Sequence, residues 1–214
     1  MDLITYDISQ SRVKSLMATD SSLNRLIKHI KTATISIEPD GFKCIVKYII
    51  GQQISDKARE TIWQRLCSIY SNFTPVLAQS LSDDSLRSIG LSYRKITYIK
   101  SLAKAIVDNE INFEEFNIMS NEEIIKQLTS IKGIGKWTAE MYLIFSLGRE
   151  NVLAKDDGTI QRVIKWIYNL NSLPNHKQLT NYFSKWQENE TIVSAYFWKA
   201  IELNLLQNSF DENI

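Results

Sequence analysis

Three kinds of residue could do chemistry in this chain: a close pair of glycines, a pair of aspartates and several tryptophans. In "IKGIGKWTAE", residues 131–140, Gly133 and Gly135 stand two apart at a seam between two stretches of helical pattern. Glycine inside a helix is about 1 kcal/mol worse than alanine, so the pair marks a break. Residues without a Cβ reach φ > 0 easily and let another molecule come close to the amides that open the next helix. Such amides make a phosphate site. Lys132 and Lys136 flank them, which suits a nucleic-acid backbone better than a small neutral ligand. The same residues also fit an ordinary tight turn between helices, and taken alone they favour it. Farther on, Asp156 and Asp157 precede "GTIQRVIKWIY", where an Asp ordinarily caps the helix.

Composition limits what these residues can belong to. The chain has 214 residues, 44% of them hydrophobic, enough for one large domain or two small ones with real cores. No apolar run is long enough to cross a bilayer, so no membrane association is expected. The start, "MDLITYDISQSRVKSL", lacks the basic and apolar regions of a secretion signal. An intracellular protein of the cytoplasm, nucleoid or nucleus is expected, with its thiols reduced. Cys44 and Cys67 are too few for a cysteine-ligated iron–sulfur cluster, and both are expected as buried small hydrophobes. His29 and His176 show no metal-ligand spacing. A net charge of +1 argues against a histone-like polyelectrolyte but leaves room for a local basic face.

The elements that must position these groups read as helices almost everywhere. After Ser55, a candidate N-cap, Ala58, Ile62, Leu66 and Ile69 recur at helical steps, as do Ile96, Ile99, Ala103 and Ile106. Ser120 and Glu123 have capping-box spacing, and Gly90 and Gly148 stand where helices end. Eight to ten helices are expected, with no convincing run of alternating strand residues. No repeat array or flexible linker is visible, so composition does not reveal domain boundaries.

Context sharpens the glycine pair. Leu128–Ile164, "LTSIKGIGKWTAEMYLIFSLGRENVLAKDDGTIQRVI", resembles the helix-hairpin-helix and the following Gly/Asp region of the helix-hairpin-helix DNA glycosylases, most of all the 3-methyladenine DNA glycosylase II branch. A second family-like segment, "FKCIVKYIIGQQISDKA", runs from Phe42 to Ala58, and the similarity extends from about Asp20 to about Leu206. The resemblance implies an all-α fold of two helical subdomains with a DNA-facing cleft between them. It implies one glycosylase unit over 1–214, with the hairpin at 120–147, the catalytic loop and its helix at 150–168, and the wedge region at 42–58. Too little chain precedes Phe42 for the extra N-terminal β domain of some members, so the compact form is expected.

The same resemblance assigns roles. Asp157 matches the catalytic aspartate, with Asp156 as its competitor. The proline that usually precedes it is missing, and Ala154 and Lys155 stand there instead. Breaking a base–deoxyribose bond builds positive charge on the sugar, which a nearby carboxylate stabilises or offsets by orienting a water. Trp137, Trp198 and Met141 would line the base pocket, the tryptophans attracting the charged ring of an alkylated purine. Lys132, Gly133, Ile134, Gly135, Lys136 and Thr138 would hold DNA. Gln53, or else Gln52, would fill the gap left by the flipped nucleotide. Backbone carbonyls of Thr129, Ile131 and Ile134 would bind a structural Na+ or K+, and no other cofactor is required. Lyase relatives carry a lysine at the position of Trp137, so a monofunctional enzyme is expected, acting as a monomer on double-stranded DNA with damaged bases. A bifunctional glycosylase/lyase and a non-catalytic DNA-binding module remain the rival readings.

Overall fold

In a computed structural model that describes residues 2–214, the chain divides into two compact units. The first joins the segment up to Ile37 with the segment from Gly148 onward, and the second is Glu38–Leu147.

The first unit begins with β1 (Asp2–Asp7), α1 (Ser11–Thr19), α2 (Ser21–Ile30) and β2 (Thr32–Ile37). The two strands pair antiparallel, with Ile4 opposite Ile35 and Tyr6 opposite Ala33. This small sheet corrects the expectation of a chain without alternating strands. "TATISI" alternates polar and apolar residues, and Ala33 and Ile35 point into the core. The pattern is hard to see because it is six residues long and one of its inward positions is only an alanine.

The second unit is helical throughout: α3 (Gly41–Gly51), α4 (Asp56–Ile69), α5 (Pro75–Ser80), α6 (Asp83–Ser88), α7 (Tyr93–Val107), α8 (Asn121–Thr129) and α9 (Lys136–Phe145). Hydroxyl and carboxylate caps set the starts. Ser55 accepts from Ala58 N at the head of α4, as its sequence suggested, and Ser120 and Glu123 complete the expected capping box before α8. The buried stripe of α4 differs from its expected one, since Trp63 and Leu66 are buried while Ile69 is exposed. A bulky indole one residue out of phase covers more apolar area than the isoleucine it displaces. Of the two thiols, Cys44 is buried and burial pushes its pKa up, whereas Cys67 is only half-buried.

The chain returns to the first unit with α10 (Gly158–Ile167), α11 (His176–Phe183), α12 (Glu190–Glu202) and α13 (Phe210–Asn213), which makes thirteen α-helices among the described residues. The surplus over eight to ten lies in short pieces such as α5, α6 and α13, too brief to show a period. α12 packs on β2 and α2, and the Tyr196 hydroxyl donates to the carbonyl of Tyr6 at 3.0 Å.

Asp20 ties this unit together. One carboxylate oxygen caps α2 by accepting from Ser22 N and Leu23 N, and the other accepts from the Tyr168 hydroxyl at 2.8 Å and Lys185 Nζ at 3.0 Å. Burial alone would raise the Asp20 pKa, but the Leu23 amide, Tyr168 and Lys185 together outweigh it and hold it below the usual carboxylate range. A depressed folded-state pKa gives stability that is present above the unfolded value of about 3.9 and is lost as pH falls through the folded one. Asp20→Asn is therefore expected to lower Tm at pH 7 by about 3–8 °C, with the gap to wild type closing towards pH 3. Thermal melts across that range test this, and a gap that stays constant with pH would refute the carboxylate's role.

Candidate DNA interface and active site

The hairpin forms because two isoleucines anchor its turn. Ile131 and Ile134 are buried, and the Ile134 amide donates to the Ile131 carbonyl at 3.1 Å. Gly133 takes φ +93°, and a Cβ there would lie 1.9 Å from Cγ of Tyr98, so only glycine fits. Gly135 is different. Its backbone is extended at φ −89°, ψ 173°, a conformation open to any residue, and a Cβ on it would meet nothing within 4 Å. Of the two properties expected of the pair, Gly133 uses the positive φ and Gly135 the lack of a Cβ. Gly133 makes the turn, while Gly135 caps α9 without a side chain and has open space where a Cβ would stand. A helix N-terminus with that clearance can receive a phosphate.

Around this turn the expected DNA-binding residues separate into two groups. Lys132 and Lys136 are exposed, and Lys136 Nζ lies 3.8 Å from the Glu140 carboxylate one turn on. Ile134 and Thr138 do not present their side chains to solvent. The Ile134 amide is used by the turn, and the buried Thr138 hydroxyl accepts from Gln52 Nε2 at 3.1 Å. Both therefore serve the hairpin's own shape, because the apolar and hydroxyl groups that a tight turn needs are the ones it buries.

The wedge candidates also part company. Gln52 closes α3 and spends its amide on the hairpin, reaching the Gly133 carbonyl at 3.0 Å as well as Thr138. Gln53 is exposed and left-handed, at φ +58°. Of the two, only Gln53 has an exposed side chain, while Gln52 is half-buried. Trp137 is half-buried and meets the ring of Tyr48 edge-on at 5.8 Å, while Tyr48 leans on Phe145. Met141, on the same helix, is 2% exposed, which makes it a packing residue rather than a platform for a base. Tyr48 and Tyr98 were missed in the sequence, since each looks like one more core aromatic of its helix.

The acidic pair lies in the first unit. Asp157 is 8% exposed and caps α10, its Oδ1 accepting from Thr159 N at 2.8 Å and Ile160 N at 3.1 Å. Asp156 points away to the surface and pairs with His176 Nε2 at 2.9 Å. The loop that lacks the proline is fixed by other means. Asp157 N donates to the Ala154 carbonyl, and Gln161 Nε2 donates to the Lys155 carbonyl at 2.9 Å. These bonds hold a short loop much as a fixed φ would. Trp198 is half-buried on α12 of the same unit.

Known proteins resemble the chain over most of its length. The chain is 33% identical over 195 residues to a DNA-3-methyladenine glycosylase of Schizosaccharomyces pombe, covering 88% of this chain and 86% of that one. A 3-methyladenine DNA glycosylase of the same yeast, solved in complex with abasic DNA, superposes with a TM-score of 0.86 at 32% identity, covering 90% of this chain and 97% of that one. A DNA-3-methyladenine glycosidase from Bacillus halodurans gives 0.81 at 33% identity, with 98% of each chain covered. The pattern of the HhH-GPD superfamily of base excision DNA repair proteins matches residues 46–189, well over half the sequence, and takes in both the hairpin and Asp157. The chain belongs to that superfamily.

Proposed function

We propose that this chain is a base excision repair glycosylase that hydrolyses the N-glycosidic bond of alkylated or deaminated purines in duplex DNA and leaves an abasic site. The observation that carries the reading is Asp157: a carboxylate largely out of solvent, with one oxygen fixed by two backbone amides of α10. A carboxylate held this rigidly can face the positive charge that develops on the sugar without first reorganising. The hairpin supplies the grip on phosphate, through the open N-terminus of α9 and the exposed Lys132 and Lys136. Trp137, backed by Tyr48, offers a π surface suited to a cationic purine, worth about 0.5–2 kcal/mol. A flipped damaged base costs less to extrude than an intact one, which adds selectivity.

The same reading places a monovalent cation at the hairpin. Thr129 ends α8, where carbonyls lack partners within the helix, and the Ile131 carbonyl keeps one lone pair beyond its bond to Ile134 N. Together with the Ile134 carbonyl these would hold Na+ or K+ and fix the turn. The protein acts inside the cell, as a monomer on duplex DNA.

The test is direct. Duplexes carrying a single hypoxanthine or a stable 3-methyladenine analogue are expected to yield free base and an intact abasic site. Binding without base release would instead make the chain a non-catalytic DNA-binding module. A lyase needs an amine at the sugar's C1′ to form a Schiff base. Trp137 fills the position where such a lysine would stand, and the Lys136 side chain is more than half exposed and turned towards Glu140. Borohydride is expected to trap no covalent protein–DNA adduct. An adduct that disappears in Lys136→Ala would overturn monofunctional chemistry.

A further inference from the structure

The loop that links α3 to α4 is tied down on both sides of its glycine and strained just beyond it. On the near side, Lys95 Nζ donates to the Ile50 carbonyl at 2.6 Å. On the far side, both N–H groups of the Gln52 amide are used: one on the Gly133 carbonyl at 3.0 Å, the other on the Thr138 hydroxyl at 3.1 Å. The two acceptors belong to the two halves of the phosphate grip, the left-handed turn and the first turn of α9. The next residue, Gln53, is exposed and sits at φ +58°. A non-glycine residue holds that conformation only where its surroundings impose it, and here the imposed restraints are those on Ile50 and Gln52 together with the turn bond from Ile54 N to the Gly51 carbonyl.

We infer that Gln52 is a positioning residue for base flipping: its amide locks the Gln53 loop to the hairpin, so that gripping the phosphates also sets the wedge. This rests on the proposed glycosylase reading and on Gln53 as the residue that enters the stack. An isolated loop would have to order itself while displacing a base, and ordering a residue opposes the step. A loop already joined to the hairpin arrives in its final shape and register with the backbone it accompanies. The apolar side chain of Ile54, 37% exposed beside Gln53, is carried into place by the same bonds.

The experiment compares single-turnover base release from hypoxanthine in two settings: paired in full duplex, where a wedge must replace the extruded base, and opposite a one-nucleotide gap, where no partner holds it. Gln52→Met keeps the length of the side chain and removes its donors. It is expected to slow release from the paired target about tenfold and from the gapped target less than about twofold, in parallel with Gln53→Ala. Thr138→Val attacks the same bond from the hairpin side, and is expected to give a smaller loss with the same preference for the paired target. It carries the test if Gln52→Met does not fold. Equal slowing on both substrates, or no slowing on either, would overturn the inference and leave Gln52 as a support of the hairpin alone. If wild type releases no base from any lesion, the glycosylase reading fails separately. The inference is then judged on fluorescence of 2-aminopurine as the target, which is expected to brighten on binding wild type and much less on binding Gln52→Met; equal brightening would refute it.

Discussion

Asp157→Asn is expected to abolish measurable base release, a loss of at least about a thousandfold in single-turnover rate, while the Kd for abasic-site duplex stays within about threefold. Asparagine caps helices as well as aspartate does, so its Oδ1 can still accept from the Thr159 and Ile160 amides that now hold Asp157. The substitution thus removes charge and leaves α10 in place. Binding to the product depends on phosphate contacts, to which a buried, acceptor-only carboxylate has no proton to donate. Asp156→Asn is the internal control. It breaks an exposed pair with His176, an interaction worth little in water, and its turnover is expected to match wild type within about twofold. Rate measurements on hypoxanthine duplex decide the matter. Near wild-type turnover in Asp157→Asn would remove the assignment.

The second large effect separates the two glycines of the hairpin. Gly133→Ala places a methyl group against the Tyr98 ring in a backbone that alanine rarely adopts, and is expected to cost roughly 2–5 kcal/mol, or about 5–15 °C in Tm. The Cβ of Gly135→Val meets no protein atom within 4 Å and the residue needs no unusual φ, so its Tm should stay within a few degrees of wild type. What valine fills is open space at the N-cap of α9, where the proposed phosphate would approach. Its affinity for damaged and undamaged duplex should fall alike, by about tenfold, with a shallower dependence on salt than wild type. Melting curves and fluorescence anisotropy over a salt series distinguish the two variants. A loss at Gly135 confined to damaged DNA would mean that the hairpin reads the lesion rather than the backbone.

Much of this was legible in the sequence, and the boundary between what was and was not has a physical basis. Ser120 and Glu123 announced the start of α8 because a capping box acts within four residues. Asp157 was visible as a cap for the same reason, and the catalytic role proposed for it comes from family resemblance alone. Interactions that span the sequence left no mark. Nothing about "GQQIS" says that the first glutamine turns to a glycine and a threonine more than eighty residues away while the second turns to solvent. Thr138 looked like a surface hydroxyl at a helix start until the partner that buries it was known. Tyr98 sits on the flank of the α7 stripe, and only the turn packed against it explains why Gly133 must be glycine. The strand "TATISI" was hidden by its shortness, since its pairing partner lies across two intervening helices.

The discontinuity of the first unit has a consequence for the order in which the protein can be made. β1, α1, α2 and β2 are made before the second unit, yet the helix that packs on β2 and α2 is α12, which follows it, and the hydroxyl that meets Tyr6 is that of Tyr196. Until α12 has been translated, β2 and α2 lack the helix they pack on. The second unit needs only residues between Glu38 and Leu147, and its hairpin, Gln52 brace and Gln53 loop all lie within that span. The hairpin and its Gln52 brace can therefore be finished co-translationally, while the loop bearing Asp157 is still being synthesised and the early strands wait for α12.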